Sequence, residues 1–190
     1  MPSPRSSAPL ADAGARRAQV ELSTAEWAAL GLVGERPVHG YEVARLLAAD
    51  GTLGAVWTVP RPLVYRALQQ LEAHDLVRPT APVASERGPN RTVLQATRRG
   101  RAALVVWLLE PVEHVRDVRS VLLLKLALLD RRGDDPAPLL DAQRAVVEEI
   151  VGALRRRRTS ADGFDAVLGT WRLESARAVL RFLAAVRSAR

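Results

Sequence analysis

The sequence contains no cysteine, and this absence excludes several kinds of site at once. Disulfide frameworks, thiolate catalysis and cysteine-ligated zinc all require that residue. Aromatic residues are also scarce, at 4% of the chain, and most proline and glycine residues stand at the ends of apolar segments. This composition favours helices over a β-sandwich.

Long apolar runs are missing as well. No run approaches the ~20 residues that a membrane-spanning helix needs, and residues 1–15 lack the apolar core of a secretory signal. We therefore expect a cytoplasmic chain without a membrane partner. The apolar fraction of 48% is sufficient for a buried core, and a chain of this length corresponds to one or two domains of ~100–200 residues each.

Lysine is nearly absent, although the chain is basic. Lys125 is the single lysine among 28 basic residues, and with 21 acidic residues the net charge is +7. Arginine forms bidentate contacts to phosphate and guanine that lysine cannot form, so the bias suits nucleic acid. A GC-rich genome would produce the same bias without functional meaning, and an anionic membrane surface would also attract the charge.

The stretch from Trp57 to Leu76 carries the clearest functional signal. Pro62 suits the first turn of a helix, and Val64, Leu68 and Leu71 then recur on one apolar face. The other polar side chains of this helix suit phosphates and base edges: Arg61, Arg66, Gln69 and Gln70. An ordinary amphipathic surface helix has the same pattern, so the flanking segments decide between the two interpretations.

Those segments predict a helix-turn-helix. Residues 23–26 read Ser-Thr-Ala-Glu, a capping box for a first helix that runs to about Gly34. Residues 36–42 form a turn and begin a second helix. The third helix follows, and we expect Asp75 to take the left-handed conformation where the chain leaves it. Three helices in this order are typical of a helix-turn-helix.

A hairpin follows the third helix. Residues 77–83 and 91–96 have extended character, and the loop between them is rich in Gly, Pro and Asn. Residues 86–101 contain five Arg and one Glu, which suits a basic wing beside a DNA groove, although a solvated charged surface is the common alternative. Thr97 then caps a fourth helix that ends at Pro111. Its predicted inner stripe is Ala102, Val105, Val106 and Leu109.

The second half of the chain is predicted to be all helical, with helices over 112–129, 138–158 and 164–186. The last two helices carry narrow apolar seams with coiled-coil-like spacing. A narrow seam is buried best against a second copy of the chain, so we expect a homodimer. The residues predicted to form its interface are Val147, Ile150, Leu154, Leu168, Trp171 and Phe182.

Several motifs over roughly residues 24–110 together resemble one family. They are His39-Gly40-Tyr41-Glu42, Trp57, Tyr65 followed by Leu68-x-x-Leu71-Glu72, Gly88-Pro89-x-Arg91 and Thr97-x-x-Gly100-Arg101. This order resembles the PadR family of winged helix-turn-helix transcriptional regulators. The later helices resemble the dimerisation region of its larger subclass.

The resemblance implies a homodimeric repressor that leaves a near-palindromic operator in duplex DNA when a small molecule binds. The fold is then mainly α, with residues 1–20 as a flexible tail, 21–110 as a DNA-binding domain with a two-stranded wing, and 111–190 as an all-helical dimerisation domain. The residues expected at DNA are His39, Tyr41, Arg61, Pro62, Tyr65, Arg66, Gln69, Gln70, Arg87, Asn90 and Arg91. Among them, Arg61, Gln69 and Gln70 are expected to read bases, and Tyr41, Tyr65, Arg66, Arg87 and Arg91 to hold phosphates.

The resemblance also implies an effector site. Trp107 and Trp171 suit either core packing or a pocket for a planar ligand near the dimer interface. Arg116 and Arg119 would favour an anionic ligand if they face inward, and otherwise they are solvated. The sequence does not name a ligand.

Two other classes of function remain for comparison. For an enzyme, the three histidines His39, His74 and His114 lie in different segments, and no motif joins them to a nucleophile. We therefore expect no catalysis, metal or cofactor, although His74, Asp75 and His114 could in principle share an ion. The second class is a winged-helix module that binds another protein without specific DNA readout.

Overall fold

The structure, a computed structural model, describes residues 21–80, 92–157 and 162–189. The fold of these residues is mainly helical, as the sequence predicts. Their α-helices are α1 (Thr24–Glu35), α2 (Gly40–Leu46), α3 (Arg61–Ala73), α4 (Arg98–Leu109), α5 (Leu123–Arg132), α6 (Ala137–Arg157) and α7 (Gly163–Ser188). The predicted tail at 1–20 and the predicted loop at 84–90 lie outside the described residues.

A small antiparallel sheet lies among the first four helices. Its strands are β1 (Val38–His39), β2 (Val77–Pro79) and β3 (Val93–Ala96), in the order β1-β3-β2. The predicted pairing of the wing is confirmed between β2 and β3. The sequence missed β1, which was predicted as part of a turn, because two residues are too few to show the alternation of a strand.

Helix α1 is the centre of the core. The predicted capping box is present, since Ser23 Oγ accepts from the Glu26 N–H at 3.4 Å and the Ser23 N–H donates to the Glu26 carboxylate at 2.6 Å. The helix packs against α3, α4, α5 and the sheet, and its residues 28–33 are all buried. At Gly31 an added Cβ would lie 2.6 Å from the Leu128 side chain, so α5 approaches α1 closely there.

The end of α3 is fixed by a left-handed residue and by the start of α4. Asp75 has φ of +55°, as predicted, and the N–H of Leu76 returns to the carbonyl of Leu71 at 2.8 Å. This hydrogen bond is typical of a Schellman ending. Thr97 donates to the Asp75 carbonyl at 2.8 Å and accepts from the Gly100 N–H at 3.0 Å, as expected of an N-cap.

The predicted inner stripe of α4 is wrong. Val105, Val106 and Leu109 are exposed, and Ala102 is exposed too. The buried residues are Gly100, Leu104, Trp107 and Leu108. Apolar residues stand all round this helix, so hydrophobicity alone could not choose the face. Trp107 determines which face of α4 is buried, because this largest side chain fills the interior against α1.

The helix predicted from Val112 begins later. A 3-10 turn at Val115–Asp117 and a π-helical turn at Val118–Leu122 lead into α5. The reason lies in Gln143 of α6, which is buried and pairs with both backbone groups of Val112, at 2.7 Å to the N–H and 2.9 Å to the carbonyl. Those two backbone groups are therefore already paired outside a helix.

Helices α6 and α7 form the last part of the described chain and pack against each other. Val147 and Val151 of α6 are buried. On α7 the buried residues are Leu173, Ala176, Val179 and Leu183. The apolar seam predicted for α7 lies beside this buried face rather than on it. Helix α7 therefore packs against α6 with other residues, and the predicted seam remains partly exposed.

Candidate nucleic-acid interface

Helix α3 is anchored by one face and exposes the other. Val64, Leu68 and Leu71 are buried as predicted, and Pro62 stands in the first turn. The polar residues singled out in the sequence are all exposed: Arg61, Arg66, Gln69 and Gln70. The hydrophobic face therefore fixes the helix in the core and leaves its polar face available to a partner.

The exposed residues point in different directions. Successive residues of a helix turn by about 100°, which places Arg66 and Gln69 nearly opposite the buried face. Arg61 lies on the side of α3 that faces α2, and Gln70 lies on the other side. Arg66 and Gln69 are consequently the polar side chains best placed to enter a groove.

Arg61 lies close to two tyrosine rings. Its Cζ is 5.3 Å from the centre of the Tyr41 ring and 5.7 Å from that of Tyr65. Both distances are within the range of a cation–π interaction. The two rings remain substantially exposed, at 56% for Tyr41 and 37% for Tyr65, so the group as a whole is accessible to a large partner.

These residues line a cleft of about 800 Å³ between α2, α3 and β3. His39 lies at its edge, with Nδ1 3.4 Å from the Thr92 carbonyl, and so connects the start of α2 to β3. Glu72 also lines the cleft, and sequence reasoning missed it as a site residue. The helical spacing could have found it, because Glu72 follows Arg61 by 11 residues, which is close to three turns.

The basic hairpin is described only in part. Arg87, Asn90 and Arg91, all predicted at DNA, lie outside the described residues. Two arginines that follow it are used internally, since Arg99 donates to the His74 carbonyl at 3.1 Å and Arg101 to the Ala96 carbonyl at 2.5 Å. Some of the charge in this segment therefore joins α4 to α3 and β3.

Trp107 belongs to the interior. It stacks on Trp27 with the ring centres 4.8 Å apart and the planes 7° from parallel. Lys125, for which no role was predicted, is 2% exposed, and its Nζ lies 4.7 Å from the centre of the Trp107 ring. Its ammonium donates to the Glu110 carbonyl at 2.5 Å. Burial lowers the pKa of Lys125 from 10.5 to about 8, and the Glu110 carboxylate opposes that shift.

The four residues predicted for an effector are not brought together within the chain. Trp107 is buried, whereas Trp171 is 70% exposed on α7. Arg116 and Arg119 are exposed, and Arg116 lies 3.8 Å from the Asp117 carboxylate. Trp171 instead lines a shallow groove of about 520 Å³ with other residues of its own helix.

The residues predicted for a dimer interface divide into three groups. Val147 is buried inside its own chain, and Trp171 is exposed. The other four are partly buried: Ile150, Leu154, Leu168 and Phe182. Phe164 and Val167 are exposed near Trp171, and we call these three residues the α7 patch.

Neither a metal cluster nor a transmembrane helix is found in the parts of the chain that the structure describes. There, His74, Asp75 and His114 do not form a group that could hold an ion. No helix in the same residues is long and apolar enough to cross a membrane.

Comparison with known proteins finds a family match over the region that contains α3 and the cleft. The model of the transcriptional regulator PadR-like family matches residues 29–105. Residues 29–105 are therefore similar to that family. The matched segment runs from α1 into α4 and includes α3, the cleft and the sheet. This family is one of transcriptional regulators, which is not a class of enzymes.

A curated relative matches over a similar length. The probable transcriptional regulator Rv1176c of Mycobacterium tuberculosis is 34% identical over 86 residues. The match covers 45% of this chain and 44% of that protein. The chain therefore spans less than half the length of the relative it matches.

Solved structures resemble the chain over most of its length, but at low identity. Bacillus subtilis PadR in complex with operator DNA is 16% identical with a TM-score of 0.45, covering 90% of this chain and 99% of that one. The same protein with p-coumaric acid is 16% identical with a TM-score of 0.42, covering 88% and 98%. The protein smu.1604c of Streptococcus mutans is 13% identical with a TM-score of 0.41, covering 86% and 98%. Identities and TM-scores at this level transfer no residue roles.

Proposed function

We propose that this chain is a homodimeric transcriptional regulator that binds duplex DNA by inserting α3 into the major groove. The observation that carries the proposal is the exposed polar face of α3, with Arg66 and Gln69 opposite the buried residues that anchor the helix. A helix fixed by one face can hold its other side chains in register with base edges. The match of residues 29–105 to the transcriptional regulator PadR-like family supports the same function.

The direction of each side chain supports a division between base reading and backbone contact. Arg66 can pair with guanine and Gln69 with adenine. Gln70 lies further round the helix and is the secondary candidate. Helix geometry favours base reading by Arg66 and phosphate contact by Arg61, the reverse of the roles predicted from the sequence. The reason is that Arg66 points away from the core and Arg61 points toward α2.

A dimer would present two copies of α3 to one face of the DNA. Two such helices contact successive major grooves about 34 Å apart, so the operator is expected to be nearly palindromic. The α7 patch supports pairing through the C-terminal helices, since exposed aromatic and branched side chains are buried favourably at interfaces.

Repression and release by a small molecule complete the proposal. An effector near the interface between two copies would favour release if it bound more tightly to an arrangement whose α3 helices no longer match the operator. Trp171, Arg116 and Arg119 would then contact the effector from separate elements. Trp107 would support the site only by packing in the interior.

A protein-interaction module is the second candidate. The exposed Val105, Val106 and Leu109 on α4 favour it, because apolar side chains of this size on a surface often mark a contact with protein. The two candidates differ in what the polar face of α3 does. The interaction module requires no sequence preference for DNA.

The deciding experiment measures DNA binding by fluorescence anisotropy at several salt concentrations. The probes are duplexes from upstream of the protein's own coding sequence and a random duplex of equal length. We expect selective binding that weakens steeply with salt, because each neutralised phosphate contributes about −0.9 to the slope of log K against log salt. Equal affinity for both duplexes at every salt concentration would contradict the proposal and favour the interaction module.

A further inference from the structure

We propose that Tyr41, Arg61 and Tyr65 act as one unit, the tyrosine bracket, in which both rings hold the Arg61 guanidinium toward a DNA phosphate. This inference rests on the proposed DNA-binding function and adds a mechanism to it. The tyrosines are then positioning residues for a cation, in addition to any contact made by their hydroxyl groups. The bracket assigns Arg61 to the backbone instead of to a base edge.

The geometry of the bracket joins two separate helices. Tyr65 follows Arg61 by four residues on α3, so the two side chains lie on the same side of that helix. Tyr41 comes from the first turn of α2 and supplies the second ring. With Cζ 5.3 Å and 5.7 Å from the ring centres, the long arginine side chain is restricted by two partners rather than one.

The position of Tyr65 is itself fixed by a glycine. A Cβ added to Gly40 would lie 3.1 Å from Cε1 of Tyr65 and 3.2 Å from Cδ1 of Leu68. Both distances are shorter than ordinary van der Waals contact, so the Tyr65 ring packs directly on the backbone at the start of α2. Gly40 permits the two helices to approach closely enough for the rings to share one guanidinium.

The charge of Arg61 remains available to a ligand. Among the described residues, Arg61 forms no ion pair within 4 Å. A ring attracts the cation through its π face but does not neutralise it. Arginine has five N–H donors in a rigid planar group, and a phosphate can accept two of them side by side. Within the described part of the chain, the bracket therefore presents an oriented donor that contacts no competing anion.

The direction of the bracket favours phosphate over base. Arg61 lies about 110° round α3 from the residues opposite the buried face, by the 100° turn per residue. It lies on the side toward α2, the helix that in a helix-turn-helix crosses the DNA backbone. Because the guanidinium is already oriented, less side-chain freedom is lost when the phosphate binds.

The first test is independent of DNA. Aromatic rings shift the NMR signals of protons held over their faces, so the Arg61 side-chain protons of the free protein should resonate upfield. We expect Tyr41→Leu and Tyr65→Leu to move these signals toward random-coil positions, and Tyr41→Phe and Tyr65→Phe to leave them upfield. Random-coil shifts in the wild-type protein would overturn the bracket, whatever the protein does with DNA.

The second test is a double-mutant cycle in operator binding. We expect Tyr41→Leu and Tyr65→Leu each to weaken binding at least fivefold in the wild-type background and less than twofold when combined with Arg61→Ala. The Phe variants should weaken it less than the Leu variants. Arg61→Ala should also lower the salt slope by about 0.9, whereas the Leu variants should leave more of that slope in place.

Arg66→Ala is the matched control, since Arg66 is on the same helix but outside the bracket. Its effect should add to that of Tyr41→Leu. Selective wild-type binding with additive effects of Tyr41→Leu and Arg61→Ala would overturn the bracket and leave the proposed function intact. Absence of selective wild-type binding would instead reject the proposed function. Circular dichroism melting of each variant ensures that a loss of binding is compared only among folded proteins.

Discussion

Helices α3 and α7 expose surfaces of opposite chemistry. Helix α3 buries Val64, Leu68 and Leu71 in its own chain and leaves mainly polar and cationic side chains outside. Helix α7 also buries one face, against α6, but leaves Phe164 and Trp171 exposed. Both helices are amphipathic in sequence, but the apolar side chains that α3 exposes, Leu63 at 43% and Tyr65 at 37%, are less exposed than those of the α7 patch, at 61–75%.

The difference indicates two kinds of partner. A cationic polar surface gains from releasing the counterions of DNA, so its binding depends strongly on salt. An apolar surface gains from leaving water, so its binding depends little on salt and lowers the heat capacity. We therefore expect changes on α3 to alter DNA affinity, and changes on α7 to alter assembly.

The largest expected effect is loss of the proposed dimer when the α7 patch is changed. Val167→Asp combined with Trp171→Asp places two carboxylates where apolar side chains would be buried. We expect the dimer dissociation constant, measured by analytical ultracentrifugation, to rise by at least about 100-fold, since truncating a central aromatic residue alone costs about 2–4 kcal/mol at many interfaces. Ala184→Asp, at an exposed position on another face of α7, is the control. An unchanged dimer in the double variant would contradict the role of the patch.

The next prediction compares a glycine in a tightly packed helix, α4, with one in a less covered helix, α7. A Cβ added at Gly100 would overlap the Leu76 carbonyl oxygen, whereas one added at Gly169 would meet no atom within 4 Å. We expect Gly100→Ala to lower the free energy of unfolding by about 3 kcal/mol, near the upper end for overpacking. Gly169→Ala should raise it by up to about 1 kcal/mol through helix propensity. Urea unfolding of both variants measures the contrast, and equal effects of one sign would refute it.

A smaller effect concerns Lys125 of α5, which is buried over the Trp107 ring of α4. Its pKa is lowered from 10.5 to about 8, so between these pH values the unfolded chain binds a proton that the folded chain does not. The contribution of Lys125 to stability is therefore least favourable below pH 8 and improves as the pH rises. We expect the stability of wild type minus that of Lys125→Met to increase by about 2–3 kcal/mol over this range, at 1.36 kcal/mol per pKa unit. A difference that is constant or falls with pH would show that Lys125 is not buried as a cation.

The smallest effect concerns the end of α3. Asp75 has φ of +55°, a conformation that costs glycine little and most other residues about 1–2 kcal/mol, somewhat less for Asp. We expect Asp75→Gly to raise the free energy of unfolding by about 0.5–1 kcal/mol. Asp75→Ala removes the carboxylate but keeps a Cβ, so it should not stabilise. If both variants were equally stabilised, charge rather than backbone strain would be the cause.

The features that the sequence predicts correctly are those set by signals local in the chain. In α3 the buried apolar residues Val64, Leu68 and Leu71 recur on one face, and Pro62 and Asp75 mark the ends of the helix. Periodicity and capping therefore determine the helix, its buried face and its left-handed ending. The capping box at Ser23 and the N-cap at Thr97 were predicted for the same reason, since both signals are local in the chain.

The errors arise where contacts distant in sequence decide. Helix α4 has apolar residues all round, and its true face is set by Trp107 stacking on Trp27 from α1. Strand β1 exists because β3, more than 50 residues later, pairs with it. Gln143 reaches Val112 across 31 residues, and no periodicity in either segment indicates that pair. The tyrosine bracket belongs to the same class, because its second ring comes from another helix.

The proposed function depends most on base reading by the outward face of α3. The direct measurement is the ratio of the dissociation constants for random and operator duplexes, compared between wild type and Gln69→Ala. An exposed arginine on α7, replaced in Arg172→Ala, serves as the control. We predict that Gln69→Ala lowers the ratio by about 5- to 150-fold, corresponding to about 1–3 kcal/mol for one bidentate base contact, with little change on random DNA. An equal loss on both duplexes, or no loss on either, would contradict base reading by α3.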